Sequence, residues 1–222
     1  MAEAAPAPAP AAVATAAPAA PETAAFYSDG ALAIQRHLGT DRLAAHIAEK
    51  YVADDLSDDD LAVVTGADCF YLATADRLGR PDCSYKGGLP GFVHVVDRRT
   101  LSFPHYDGNG MFRSLGNILE NPAVGLLFID YARPVKLRVN GDATVSTAPA
   151  QTAAFEGADA VITVALRQVF ENCPRYLHDP TTGRHSAHCP RPDYVPPDPT
   201  WKLKPEYDDI VRRTGVTPDR GH

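Results

Sequence analysis

The sequence predicts a mainly β domain, a small antiparallel barrel with helices packed outside it. Two observations carry that expectation. Between Cys69 and Leu166, short β-prone runs recur at a density that a helical protein would not show, separated by turn chemistry such as Asp76-Arg77-Leu78-Gly79-Arg80-Pro81. A single helical face interrupts them, so the pattern is neither a regular βαβ series nor a two-sheet sandwich.

Residues 1–25 are almost entirely Ala, Pro and Thr, with Glu3 and Glu22 the only charged side chains. Proline disrupts helix and alanine buries little surface, so this stretch reads as a disordered or polyproline-like tail. Leu43, Ile47 and Tyr51 then recur at helical spacing after the N-cap candidate Thr40-Asp41. Ser57 precedes Asp58-Asp59-Asp60 and opens a short helix through Leu61, Val63 and Val64. The aspartates from Asp54 to Asp60 could be read as a metal site. Carboxylates in a first helical turn are favoured by the helix dipole without a ligand, and the loop lacks the Gly and Glu of an EF-hand.

Strands are expected at Cys69 to Thr74, Asp82 to Lys86, Phe92 to Val96 and Leu101 to Phe103. Met111, Phe112, Leu115, Ile118 and Leu119 form one helical face that ends at Asn121-Pro122. Val124 to Asp130 is a continuous apolar strand. Val135, Leu137 and Val139 alternate with polar residues, a short helix is expected from Ala148-Pro149-Ala150 to Phe155, and Ile162, Val164 and Leu166 alternate again. The count is six or seven strands. From Cys173 onward proline dominates, and the only tryptophan, Trp201, lies there. That segment is too aromatic for a pure linker and is expected to wrap over the barrel or a partner.

Lys plus Arg total 21 against 28 Asp plus Glu, a formal charge of -7, which disfavours a general nucleic-acid or anionic-membrane binder. No apolar run approaches the roughly 20 residues that span a bilayer. The N-terminus lacks the basic region and leucine-rich core of a signal peptide, so a cytoplasmic location is expected. Cys69, Cys83, Cys173 and Cys189 form no CxxC pair and do not resemble a disulfide framework.

The stretch richest in chemistry is Tyr85-Lys86-Gly87-Gly88-Leu89-Pro90-Gly91-Phe92, followed by Asp107-Gly108-Asn109-Gly110-Met111-Phe112-Arg113-Ser114-Leu115-Gly116-Asn117. It places a lysine at a strand end and opens a helix with Arg and Ser. Glycines admit close backbone approach, and the free N–H groups of a helix start suit a phosphate. A phosphate-bearing cofactor across a small barrel is the first expectation. Arg113 could grip the phosphate bidentately, with Ser114 and Asn117 as neutral donors.

Other constellations are weaker. Cys173, His178, His185, His188 and Cys189 match no standard zinc spacing. Ser84, His94 or His105, and Asp107 could compose a hydrolase triad, but no Gly-x-Ser-x-Gly elbow accompanies them. No Gly-x-Gly-x-x-Gly follows a strand, so no classical NAD-binding unit is expected. His105 and Tyr106 are the candidate catalytic residues, as a proton donor beside the cofactor.

In that order, the Ser84 to Phe92 run, the Gly108-Asn109-Gly110 to Gly116-Asn117 helix start and Glu171-Asn172-Cys173-Pro174-Arg175-Tyr176 resemble the pyridoxamine 5′-phosphate oxidase-like flavoproteins. The branch is that of FMN-binding split-barrel proteins without an assigned substrate, and the resemblance covers roughly Phe26 to Tyr176. It implies a six-stranded antiparallel split β-barrel with peripheral helices, and a homodimer with FMN at the subunit interface. Ser84, Tyr85, Lys86 and Gly87 would line the flavin from one strand, and Phe103, Pro104 and Tyr106 from the next. Arg113 and Ser114 would lie near the phosphate, with Asn109, Asn117 and Arg175 completing the set, the Arg175 segment folding near the flavin edge of a neighbouring chain. The organisation expected is a tail (1–25), an N-terminal helical segment (26–66), the FMN-binding barrel (67–176) and a proline-rich extension (177–222).

The function implied is an FMN-dependent oxidoreductase acting on a small organic substrate by hydride transfer at flavin N5. The alternatives are a deazaflavin F420-dependent reductase and a non-catalytic flavin-binding protein. Where the vitamin B6 oxidases carry a C-terminal Trp/Arg set for pyridoxal phosphate, this chain has Trp201-Lys202, with Arg212 and Arg213 further on, and vitamin B6 oxidation is not expected.

Overall fold

The computed structural model describes residues 26–211 and 213–216. The Ala/Pro-rich tail and Arg212 lie outside the described residues. Three helices come first: α1 (Asp29–Leu38), α2 (Asp41–Tyr51) and α3 (Asp58–Gly66). They are followed by β1 (Cys69–Ala75), β2 (Pro81–Gly87), β3 (His94–Asp97) and β4 (Thr100–Tyr106). Then come α4 (Arg113–Glu120), β5 (Ala123–Asp130), β6 (Val135–Ser146), α5 (Pro149–Thr152) and β7 (Ala158–Asn172).

The strands form one antiparallel sheet in the order β2-β1-β5-β6-β7-β4-β3. The expected count of six or seven resolves to seven, the extra member being the four-residue edge strand β3. The sheet curls on itself. Phe70 on β1 meets Phe103 on β4 edge-on at a ring separation of 4.9 Å, although three strands separate β1 from β4 in the sheet. Phe128 and Phe92 complete the contact around Phe70, at 5.0 and 5.9 Å. Alternation along each strand supplies this interior: Leu72, Leu101, Leu126, Leu137, Ile162 and Val164 are all buried. The edges β2 and β3 are not paired to each other, so the barrel is open along that seam.

Two strands are much longer than alternation suggests. β6 runs 12 residues and β7 runs 15, with a register shift at Asn140/Gly141, which face Gln168 and Leu166 and leave Arg167 as the extra residue. A bulge of this kind breaks the period of two, so the apolar pattern appears to stop at Leu166 when the strand continues. The glycine at the bulge is required by space, since a Cβ on Gly141 would lie 2.3 Å from the Ala165 carbonyl oxygen.

The acidic run is a helix start, as its sequence suggests. Ser57 Oγ accepts from Asp60 N, and the Asp60 carboxylate accepts from Ser57 N at 2.9 Å, a complete capping box. Asp58 and Asp54 are held by Arg98 and Arg99. Thr40 stands at the N-cap of α2 but makes no side-chain cap bond.

The proline-rich segment folds back over the N-terminal helices. The Tyr207 hydroxyl donates to the Tyr51 hydroxyl at 2.9 Å, Tyr51 donates to Glu206 at 3.1 Å, and Lys50 pairs with Glu206 at 2.8 Å. Buried Asp198 accepts from the Thr214 and Gly215 amides. Among the described residues, no helix is long and apolar enough to cross a membrane.

Candidate functional site

The period of β2 decides what its residues face. Asp82, Ser84 and Lys86 are partly buried on one side, while Cys83 and Tyr85 are exposed on the other. The first side faces α4. Ser84 Oγ lies 3.0 Å from Ser114 Oγ, Lys86 Nζ lies 3.5 Å from the same oxygen, and Arg113 Nε donates to Asp82 at 3.3 Å. One turn further on, Asn117 donates to the Thr74 hydroxyl at 2.9 Å.

The start of α4 is unusual. Its N-cap is Phe112, a bulky residue held in the left-handed region at φ 47°, and no side chain caps the first turn. That conformation is costly for a residue with a Cβ, and it leaves the leading N–H groups of the helix without a side-chain acceptor. Asn109 does not serve as that acceptor; its carbonyl oxygen takes the Met111 N–H at 3.1 Å.

Two titratable groups meet beside this helix start. Burial pulls the Lys86 ammonium below the usual lysine value, partly opposed by the Asp82 carboxylate. Burial also pulls His105 below the usual imidazole value; the Lys86 charge adds to this and Asp159 opposes it. The His105 ring is 5.4 Å from Phe112. A cation (Lys86) and an anion (Asp159) thus act on one imidazole from opposite directions in charge.

The structure therefore brings together Ser84, Lys86, Arg113 and Ser114, with Asn117 below them. It separates Tyr85, which packs edge-on against its cross-strand partner Tyr71 at 5.9 Å on the outer face. Phe103 and Pro104 are buried, and Phe103 is spent on the core. Gly87 makes room for the chain's own Tyr85 ring, whose Cε1 would lie 2.8 Å from an added Cβ. Tyr106 is exposed at the end of β4. Arg175 lies over Trp201 at 6.0 Å, and among the described residues no hydrogen bond, ion pair or ring contact links it to β2 or α4. Three participants escaped sequence reasoning. Asp82 was legible, being two residues before Ser84 on the same strand face; Thr74 and Asp159 come from distant strands and carry no local signal.

A basic, hydroxyl-bearing cluster at an uncapped helix start fits a phosphate monoester. The Arg113–Asp82 pair is surface-exposed, and such pairs are worth only about 0–1 kcal/mol, so a dianion can compete for the guanidinium. The apolar flank is a cleft of about 430 Å³ between α4 and the facing ends of β6 and β7, lined by Met111, Phe112 and Leu115 among others. A larger cleft, about 1100 Å³, lies by Ala73, Gly125, Asn140 and Gln168; Thr74 lines it, but Ser84, Lys86, Arg113 and Ser114 do not.

Solved structures that resemble the chain include a candidate pyridoxamine 5′-phosphate oxidase from Lactobacillus delbrueckii (24% identity, 53% of this chain and 95% of that one, TM-score 0.44). Others are the haem storage protein HutZ from Vibrio cholerae (16%, 53% and 95%, TM-score 0.36) and an F420 reductase (21%, 50% and 94%, TM-score 0.34). No curated protein matches the chain. The family model for pyridoxamine 5′-phosphate oxidase matches residues 56–206, which span β1 to β7 and both partners of the β2–α4 cluster, and the chain belongs to that family.

Proposed function

We propose that the protein is an FMN-dependent oxidoreductase acting on a small organic substrate. The observation that carries this reading is the meeting of Ser84 and Lys86 with Ser114 at the uncapped start of α4. Lys86 and Arg113 would neutralise the FMN phosphate, and the two serine hydroxyls and the first-turn N–H groups would donate to it. FMN, when bound, supplies hydride transfer at its N5; the protein supplies binding, orientation and electrostatics. His105, whose imidazole is shifted toward its neutral form first by burial and then by the Lys86 charge, is the residue we assign to hold or move a proton at the flavin edge, with Tyr106 beside it on β4.

The reading includes a homodimer that shares the flavin between subunits. Its support is the outer sheet face, where Tyr71 and Tyr85 stand exposed side by side next to small residues such as Ala73 and Gly125. A partner would cover them, and would also be the source of any contribution from Arg175.

The test is direct. Protein purified with its bound ligand should be yellow, or should quench added FMN fluorescence with one equivalent per chain, and should sediment as a dimer. A colourless protein that gains no signal with FMN overturns the reading. Parallel titrations with F420 and with haem identify what replaces it: F420 uptake keeps the oxidoreductase and changes the cofactor, whereas haem uptake removes the chain from that class.

A further inference from the structure

The apolar cleft between α4 and the ends of β6 and β7 has a composition of its own. Its walls are Met111, Phe112, Leu115, Leu119 and Val145, and the one ionisable side chain among its lining residues is Asp159. Met111, Phe112 and Leu119 are 63%, 47% and 44% exposed, an unusual outlay of large apolar side chains around one opening. The volume, about 430 Å³, falls in the range of small-molecule sites, which combine apolar walls with few polar groups.

Asp159 is placed there by a defect in the sheet. His105 pairs with Ala160 and Tyr106 with Ala158, so Asp159 is the extra residue of a bulge in β7. Bulges re-aim side chains and recur beside functional sites. Among the described residues Asp159 makes no salt bridge, and the cations of the neighbouring cluster, Lys86 and Arg113, are turned to Ser114 and Asp82. An exposed carboxylate at the rim of an aromatic and apolar cleft, held in no ion pair among the described residues, is complementary to a cation on a hydrophobic body.

We infer that this cleft binds the substrate, and that the substrate is a hydrophobic amine whose ammonium group pairs with Asp159 while its apolar body lies against Phe112, Leu115 and Leu119. The cleft's role as a substrate site rests on the flavin reading above; its preference for amines does not.

The experiment is calorimetric titration of the full chain with 2-phenylethylamine, its neutral isostere 2-phenylethanol and the anion phenylacetate. The amine should bind at least tenfold more tightly than the alcohol, and phenylacetate most weakly. Asp159→Asn should bring amine and alcohol together while leaving alcohol binding in place, and Leu119→Glu should weaken the alcohol. Equal binding of amine and alcohol by the native chain, or an amine preference that survives Asp159→Asn, overturns the proposal. FMN titration of the same samples separates the two readings. FMN bound without amine preference sinks this inference alone, and amine preference without FMN sinks the flavin assignment while the amine site stands.

Discussion

Ser84 in the middle of β2 and Ser114 in the first turn of α4 share a hydrogen bond of 3.0 Å across 30 residues of sequence. The bond closes a place where a strand, a lysine and an open helix start converge. Each hydroxyl is a neutral donor worth about 0.5–1.5 kcal/mol. Ser84→Ala and Ser114→Ala should therefore each weaken FMN about 2- to 10-fold by fluorescence titration. Arg113→Ala removes a charge-assisted donor and should cost about 10- to 100-fold, with a reduced dependence on salt. Unchanged affinity in Arg113→Ala would place the phosphate elsewhere.

Lys86 gives the binding a pH dependence. Its folded pKa lies below the ordinary 10.5, chiefly because burial disfavours the charge. A cation with a lowered pKa costs stability while charged, so the ligand-free protein should gain stability as pH rises through that pKa toward 10.5. FMN affinity should move the opposite way and fall over the same interval, because the phosphate loses its ammonium. Thermal unfolding and FMN titration between neutral pH and pH ~10 check both, and Lys86→Met should flatten each profile.

His105 sets the acid limb. Its pKa is lowered from 6.5, first by burial and then by the Lys86 charge, so the unfolded chain takes up the proton before the folded one. Stability should therefore fall as pH drops from about 6.5 through the folded value and level off below it. His105→Gln should remove that step from the unfolding profile. Lys86→Met should raise the His105 titration midpoint, read by NMR; an unmoved midpoint would show that the two groups do not interact.

Two glycines make opposite predictions. Gly141 sits at the β6–β7 bulge with no room for a methyl group against the Ala165 backbone, so Gly141→Ala should destabilise by about 1–3 kcal/mol or prevent folding. Gly116 lies inside α4 with nothing within 4 Å of an added Cβ. Gly116→Ala should stabilise by up to ~1 kcal/mol. Chemical denaturation of the two variants measures both.

The closing contact of the C-terminal segment is also testable. Tyr207→Phe removes the donor to Tyr51 and should cost about 1 kcal/mol, because one hydrogen bond is lost while the buried ring is retained. Proteolysis should then cut between 173 and 211 faster than in the native chain. An unaltered digestion rate would mean that the Trp201 and His46 contacts to Tyr207 suffice.

What the sequence made legible was local. Ser57-Asp-Asp-Asp read as a helix start because a capping box lies within four residues. The Asn121-Pro122 stop and the apolar β5 run were readable for the same reason. The strand order was not readable, because Phe70 finds Phe103 only after the sheet has curled, and the lengths of β6 and β7 were masked by the bulge at Arg167. In the site, Lys86, Arg113 and Ser114 were visible as a basic, hydroxyl-bearing pattern. Tyr85 was grouped with them although strand alternation alone assigns it to the other face. The chain's own packing claims Phe103, Pro104 and Gly87. Asp159 could not be found from sequence, since its neighbours along the chain, Ala158 and Ala160, say nothing of His105.

The same irregularity at Arg167 turns β7 into a bent arm. Ahead of the extra residue the strand carries Asp159 and Ala160 beside His105; beyond it, Val169 exchanges backbone hydrogen bonds with Ala53, in the link between α2 and α3. The two ends are therefore set relative to each other by the bulge. Deleting Arg167 would set Leu166 next to Gln168, so that Gly141–Leu166 and Asn140–Gln168 pair without interruption and both ends keep their register; what is lost is the bend and extra twist of the bulge, and with it the angle at which the strand carries Val169 to Ala53.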